Sequence, residues 1–314
     1  MPSSAVPDEP QVRTCLMGID VGGTKTAAGL VMPDTGHIIK KRIVPTDTES
    51  DGKKLLEKTR HLAEKLLEDA KQLNFKVMGI GIAVAELVSL DGVVQSDNLI
   101  AWRDLPVQTF FESLAPTVLE ADVRAAALAE AMLGAGKPYR QFVYISVGTG
   151  ISSCLVIDGK PFKGARGNAL IMASSPQLII NKHGTSPGVV LESFASGPAL
   201  IERYYVKTTK RVGHGKDILK AAERGDAAAR AIVRTAAEAL ANKTAWIIDV
   251  LDPEAVVVGG GLGSAEGFYW DVFREAVYTY VWAEQSQDVT IVQASAGSDS
   301  ALIGAALTAL PLAV

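Results

Sequence analysis

Apolar and polar positions along the chain fall into blocks that predict strands and helices in alternation. The predicted strands of the first part cover residues 14–20, 27–32, 37–44, 77–85 and 117–121. The first three are separated only by short turns, which is typical of antiparallel hairpins. Leucines at helical spacing predict a helix over residues 51–73, and an alanine-rich stretch predicts another over 123–136.

The second part of the chain opens in the same way as the first. Residues 141–162 predict a strand, a Gly-Thr-Gly turn, a second strand and an Asp-Gly turn. A long helix over 227–251, a strand over 255–263 that ends in three glycines, and a helix over 300–310 follow. The repeated opening predicts an α/β protein with a duplicated domain. We expect one domain of residues 1–119 plus 303–314, to which the last helix returns, and another of residues 120–302.

Composition narrows the class of protein. The 314 residues are 48% hydrophobic, and 31 Lys plus Arg face 35 Asp plus Glu, so the net charge is only −4. The chain has no basic block of the kind that binds nucleic acid and no apolar run long enough to span a bilayer. The cysteines, Cys15 and Cys154, both lie in apolar strand-like runs, which suits a reducing compartment. We therefore expect a cytoplasmic protein with neither nucleic acid nor membrane as its partner.

Three glycine turns follow apolar strands and are candidates for phosphate binding. They comprise Asp20, Gly22, Gly23, Thr24 and Lys25; Gly148, Thr149 and Gly150; and Gly259, Gly260 and Gly261. Each turn alone is also compatible with a plain hairpin. Three together favour a nucleotide, because glycine lets backbone N–H groups approach an anion while threonine and lysine add donors. An aspartate beside phosphate needs an intervening cation, so Asp20 predicts Mg²⁺ held through water. The spacing matches neither GxxxxGK[ST] nor GxGxxG.

Asp122 stands between a predicted strand and a predicted helix, and two roles are open for it. Aspartate is a preferred N-cap residue, so the carboxylate can satisfy the free N–H groups of the helix that follows. Alternatively, the same carboxylate at a strand-to-helix junction can act as a general base. The two roles are compatible for one side chain.

Several motifs in this order resemble the ROK family of sugar kinases and related repressors, within the actin-like ATPase superfamily. The motifs include GIDVGGTKTAAGLV (18–31), LEADVRAAALAE (119–130), SVGTGISSCLVIDGKPFKGARG (146–167) and LDPEAVVVGGGLG (251–263). The resemblance implies two actin-like, ribonuclease H-like domains with mixed sheets flanked by helices around a central cleft. It also implies ATP and Mg²⁺ as cofactors, a homodimer, and Asp122 as the catalytic base that deprotonates the attacking hydroxyl.

The chain departs from the family pattern on the substrate side. Ile171 and Ser174 stand where the family's Glu-x-Gly-His motif has its acid and imidazole, and Ala121 replaces the Asn before the catalytic Asp. Ala85 and Glu86 replace the usual Pro-Gly. The cysteines of the family's zinc motif are missing before Glu192, so we expect no zinc.

Four residues are candidates for substrate contacts. Glu192 matches the family acid that reaches the sugar, and Asn98 and Asp122 are the next candidates. Glu86 is either a new acceptor for substrate or an ordinary exposed loop acid.

The altered motif predicts the substrate class. A site that hydrogen-bonds particular hydroxyls rejects analogues without them, so loss of the acid and imidazole predicts a modified substrate. We expect a kinase for the primary hydroxyl of an amino sugar or cyclitol rather than plain glucose. Alternatives are an ordinary glucokinase and a non-catalytic sugar-binding protein, although retention of Asp122 and Lys25 disfavours the latter. A repressor is disfavoured because only about 15 residues precede the first strand, too few for a helix-turn-helix domain.

Overall fold

The computed structural model describes residues 13–47, 51–177 and 188–312. The strands are β1 (Arg13–Val21), β2 (Lys25–Val31), β3 (Ile38–Pro45), β4 (Phe75–Val84), β5 (Thr117–Ala121), β6 (Gln141–Val147), β7 (Ile151–Ile157), β8 (Lys160–Pro161), β9 (Ala255–Gly259) and β10 (Thr290–Gln293). The α-helices are α1 (Gly52–Gln72), α2 (Val107–Glu112), α3 (Asp122–Leu133), α4 (Leu191–Ala195), α5 (Gly197–Thr208), α6 (Gly215–Glu223), α7 (Ala227–Leu251), α8 (Gly260–Gly263), α9 (Phe268–Tyr280) and α10 (Ser300–Thr308).

The first of two compact units contains the residues up to Ala125 and those from Ala301 onward. Its sheet has the order β3-β2-β1-β4-β5. Strands β1, β2 and β3 pair antiparallel, as the two short turns predict. Strand β4 pairs with β1, and β5 pairs with β4, both in parallel. Helix α1 buries the leucine face that its sequence spacing predicts, including Leu55, Leu62 and Leu66. The nearly continuous apolar sequences of β1 and β4 fit the parallel part of this mixed sheet, because parallel strands covered by helices are buried on both faces.

The second unit, Ala126–Ser300, contains a sheet of the same topology. Its order is β8-β7-β6-β9-β10, with β6, β7 and β8 antiparallel and β6, β9 and β10 parallel. Each strand thus has a counterpart of equal position and direction in the first sheet. The duplication inferred from the repeated opening is confirmed, as is the class of two mixed sheets flanked by helices.

Helix α10 returns to the first unit. Its Leu302 and Ala306 pack with Leu16 and Val31 of the first sheet. The boundaries between the units fall inside α3, after Ala125, and at the start of α10, after Ser300. The divisions predicted from the sequence are at 119/120 and 302/303. None of the helices in the described ranges is long and apolar enough to cross a membrane.

Two predicted elements end earlier than their sequence patterns suggest. Helix α3 stops at Leu133 rather than Gly136, and the buried Glu130 carboxylate accepts the Ala135 N–H at 2.8 Å just beyond its end. Strand β9 stops at Gly259 because Gly260 adopts φ 81°, which breaks the strand and starts α8. Glycine has no Cβ to oppose such a turn, so a glycine run carries no periodicity that marks where a strand ends.

Substituting Gly81 by alanine should destabilise the first unit. A Cβ atom on this β4 residue would overlap the Ala305 carbonyl oxygen of α10, and backbone cannot yield as a flexible side chain does. We expect a loss of about 3 kcal/mol in unfolding free energy. Gly213→Ala is the control, because no heavy atom lies within 4 Å of its Cβ position. Urea midpoints measure both variants, and equal midpoints would contradict the close packing of α10 on β4.

Candidate functional site

Three carboxylates lie where three neighbouring strands of the first sheet end. Asp20 is the second-last residue of β1, Glu86 follows β4 by two residues, and Asp122 follows β5 directly. The three strands are adjacent and parallel. Their carboxyl ends therefore share one edge of the sheet, which is where α/β proteins place their functional groups.

Asp122 is a half-buried acid whose pKa lies near neutral pH. Its carboxylate accepts the Val123 N–H at 2.6 Å from the first position of α3. Burial is the main cause that raises the pKa of Asp122, the negative charges of Asp20 and Glu86 add to it, and the resulting pKa is about 7. The Val123 hydrogen bond and the Arg124 guanidinium oppose this shift. A carboxylate with a pKa near the operating pH has the protonation behaviour that general-base chemistry requires.

The carboxylate of Glu86 is occupied by its own loop. It accepts the Asn98, Leu99 and Ile100 backbone N–H groups at 2.9, 2.5 and 2.8 Å and the Ser96 hydroxyl. A carboxylate offers about four acceptor sites, and four donors fill them here. The expectation that Glu86 accepts hydrogen bonds from substrate is corrected accordingly. The alternative of an exposed loop acid is wrong as well, because the residue is only 5% exposed.

The predicted phosphate turn after β1 is tight and carries exposed polar side chains. The Gly22 N–H donates to the Lys25 carbonyl at 3.1 Å, and Gly23 lies at the bend. The side chains of Thr24 and Lys25 are exposed, so the hydroxyl and the ammonium are available to an anion. Asn98, the other predicted substrate contact of this unit, is also exposed.

The two glycine turns of the second unit lie side by side. The Gly148 N–H closes its turn by donating to the Gly150 carbonyl at 2.9 Å, leaving Thr149 exposed. A Cβ atom on Gly148 would lie 3.5 Å from the Gly261 nitrogen. Glu192, in α4, accepts the Ile151 N–H at 2.8 Å through one oxygen and lies against Gly150. The candidate sugar-binding acid is therefore attached to the glycine turn.

Sequence reasoning missed two helix starts that complete this cluster of glycine turns. The Gly197 N–H, at the start of α5, donates to the Gly148 carbonyl at 2.8 Å. A Cβ atom on Gly215, at the start of α6, would lie 2.9 Å from Gly197 Cα. Lys216 brings its Cε to 3.5 Å from the Cβ position of Gly261. In the sequence, each of these helix starts is indicated by a glycine, followed by Pro198 or Lys216 and then by apolar residues at helical spacing. This pattern is typical of a helix N-terminus, which is a place that suits anions.

The residues present fit a nucleotide and a magnesium ion. A side chain at Gly260 would bring its Cβ to 2.5 Å from the Val147 carbonyl oxygen, so only glycine permits this close backbone turn. At the start of α6, the Gly215 and Lys216 N–H groups have no intrahelical partner, and together with the Lys216 ammonium they suit phosphate. The described residues contain no group of three His, Cys, Asp or Glu side chains that could hold a metal. Magnesium typically keeps several waters and uses one or two carboxylates plus substrate phosphates, which suits Asp20.

The altered substrate motif lies at a 3₁₀ turn, Met172–Ser174, in which Met172 is buried while Ile171, just before the turn, and Ser174, at its end, are exposed. Ile171 is 45% exposed, and the Ser174 hydroxyl donates to the Ile171 carbonyl at 3.1 Å. The polar group that replaces the imidazole is thus partly used within the turn. Most of the segment in which the family carries its zinc motif, residues 178–187, lies outside the described residues, so the absence of zinc stays a prediction.

Comparison with known proteins identifies the relatives of this site. The model of the ROK family matches residues 16–311. The chain belongs to the ROK family. The motif resemblance is thereby confirmed, and solved ROK kinases have the same fold.

Proteins similar to this chain include two that are named glucokinase. The bifunctional enzyme NanE/NanK of Brucella melitensis is 32% identical over 97% of this chain, which spans 54% of that enzyme, about half its length. A glucokinase of Thermotoga maritima is 28% identical, with 93% of this chain and 96% of the glucokinase covered. The structure of a Streptomyces griseus ROK family glucokinase with glucose and AMPPNP is 26% identical, with a TM-score of 0.77 and coverage of 93% and 98%.

Proposed function

We propose that this chain is an ATP-dependent kinase that transfers the γ-phosphate to a primary hydroxyl of a hexose-like substrate. The observation that carries the proposal is Asp122: a half-buried acid with a pKa raised to about 7, at the end of a strand beside Asp20. The names of its ROK relatives and the AMPPNP-bound glucokinase support ATP and a sugar as the two substrates.

Asp122 serves as the base in this proposal. Its carboxylate removes the proton of the acceptor hydroxyl while the hydroxyl oxygen bonds to the γ-phosphorus and the bond to the ADP oxygen breaks. Thr24 and Lys25 supply donors for phosphate oxygens, and Asp20 is the residue that would hold magnesium. Magnesium neutralises negative charge on the phosphates. The glycine turns of the second unit and Lys216 supply backbone N–H groups and a cation that suit phosphate.

The substrate proposed is a modified sugar, an amino sugar above all, or a cyclitol. The side chain of Ile171 cannot accept a hydrogen bond, and a substrate hydroxyl that becomes buried against it without a partner costs about 1–3 kcal/mol. A ring that presents hydroxyls to both altered positions therefore loses affinity relative to one with different groups there. Glu192 and Asn98 remain as polar groups for the unaltered positions of the ring.

Plain glucose should be a poor substrate beside an amino sugar or a cyclitol, by about tenfold or more in kcat/KM, since 1.4 kcal/mol corresponds to tenfold. ADP release coupled to a dehydrogenase measures each acceptor on one batch of enzyme. Glucose as good as every modified acceptor would contradict the substrate proposal and indicate an ordinary glucokinase. Binding of a sugar without ADP release from any acceptor would contradict the kinase proposal itself.

A further inference from the structure

The Glu86 carboxylate is a hub for the segment of residues 96–100. One oxygen accepts the Leu99 and Ile100 N–H groups, and the other accepts the Asn98 N–H and the Ser96 hydroxyl. The donors lie 10 to 14 residues further along the chain. A single side chain thus fixes three consecutive backbone amides, which no strand or helix of the described chain pairs.

Burial strengthens the hydrogen bonds of Glu86, and removal of its carboxylate would be destabilising. Glu86 is 5% exposed and Ser96 is 7% exposed, so both are shielded from water. The Ser96 hydroxyl also accepts the Leu87 N–H at 2.9 Å, which ties the segment a second time to the strand end that carries Glu86. Hydrogen bonds to an ionised acceptor are about twice as strong as neutral ones. Without the carboxylate, the backbone donors would be left partly buried and unpaired, which proteins avoid.

One side chain of the segment contacts the phosphate turn, and another is exposed beside it in the chain. Asn98 is exposed, and no described residue lies within hydrogen-bond distance of its side-chain amide. Leu99 is 46% exposed and covers the phosphate turn, with its Cδ1 atom 3.3 Å from the Cβ position of Gly23. The geometry of the segment therefore decides both where the Asn98 amide is held and how the Gly23 turn is covered.

We propose that Glu86 is a positioning residue, which holds segment 96–100 so that Asn98 binds the phosphoryl acceptor and Leu99 covers the phosphate turn. The proposal rests on the proposed kinase function for the role of Asn98, but the anchoring itself does not. It gives the buried acid a function that the Gly of the family pattern, having no side chain, cannot perform in the same way.

Amide hydrogen exchange tests the anchoring without any substrate. Glu86→Gln keeps the size of the side chain but turns an amide NH₂ towards two donors, so it cannot satisfy all four. We expect the amides of residues 98–100 to exchange at least about tenfold faster in this variant. Asp97→Asn is the matched control, since this exposed neighbour bonds only Arg103 among the described residues, and its exchange at 98–100 should match the wild type.

Ser96→Ala is the second variant, because Glu86→Gln is a change in a buried network and can impair folding. It removes one donor and leaves the charge, so we expect exchange at 98–100 intermediate between wild type and Glu86→Gln. Unchanged exchange in both variants, with folding confirmed by circular dichroism, would overturn the anchoring.

A double-mutant cycle tests whether Glu86 acts through Asn98. Asn98→Ala and Glu86→Gln should each raise the KM for the acceptor about tenfold, with a smaller change in kcat. The two changes together should raise it hardly more than either alone, because an unanchored segment no longer places the amide. Fully additive effects would overturn the positioning role. A wild type that releases no ADP with any acceptor would refute the kinase proposal, and the exchange comparison would still decide the anchoring.

Discussion

Asp122→Asn is expected to lower kcat by about 10²–10⁴-fold, the usual cost of losing a general base. The amide has the size of the carboxylate, and its oxygen can still accept the Val123 N–H that the carboxylate accepts at 2.6 Å. The variant therefore keeps the start of α3 and loses only the ability to take a proton. Single-turnover or coupled ADP-release assays with the best acceptor of the panel measure the change.

Asp271→Asn is the matched control for this substitution. Asp271 also lies in the first turn of a helix, α9, but it is exposed and belongs to the other unit. Its variant should retain wild-type kcat within a factor of two. An Asp122→Asn variant that turned over within a few-fold of wild type would contradict the assignment of the base and leave the hydrogen bond to Val123 as the role of the carboxylate.

The same variant should be more stable than wild type in mildly alkaline solution. Folding raises the pKa of Asp122 from 3.8 to about 7, so between these values the folded protein binds more protons than the unfolded chain. Stability then falls as pH rises through this window, and above pH 7 the ionised carboxylate destabilises the fold. Asparagine does not titrate. The melting temperature of the variant should exceed that of wild type at pH 8, and the difference should shrink towards pH 4.

The sequence predicts the elements and the place of Asp122 at a strand end well, because both depend on local patterns. Helix α7 matches its predicted bounds, since Asp226 accepts the Ala229 N–H at its start and Asp252, with φ 45°, ends it. Asp122 and the glycine turns fall at strand ends, where a change from apolar run to polar or glycine residues is visible along the chain.

No local sequence pattern indicates what the Glu86 carboxylate contacts. A lone glutamate after a strand has the same sequence signature whether its carboxylate is exposed or accepts four hydrogen bonds from residues 96–100. Gly197 and Gly215 likewise meet only because α5 and α6 start beside each other. Buried Glu130 accepts the Ser295 and Ala296 N–H groups, 165 and 166 residues away. Such contacts are set by the tertiary packing of elements and leave no periodicity in sequence.

The kcat/KM for the acceptor should fall about tenfold for each pH unit below about 7, so that activity at pH 5 is about 100-fold below that at pH 8. The cause is protonation of Asp122, whose pKa is held near 7 by burial and by the charges of Asp20 and Glu86, against the opposing charge of Arg124. Only the ionised carboxylate can take the hydroxyl proton. An exposed aspartate would instead keep its activity down to about pH 4.

The ratio of wild-type to Asp122→Asn rates isolates this titration, because ionisations of the substrates and of the other groups occur in both proteins and cancel. The measurement spans pH 5 to 9 at constant ionic strength, with coupling enzymes in excess. We expect the ratio to rise through a midpoint near pH 7 and then to level off, since Asp122 is fully ionised above it. A ratio that is constant over this range would show that the group that titrates is not Asp122, even if the activity of the wild type falls in acid.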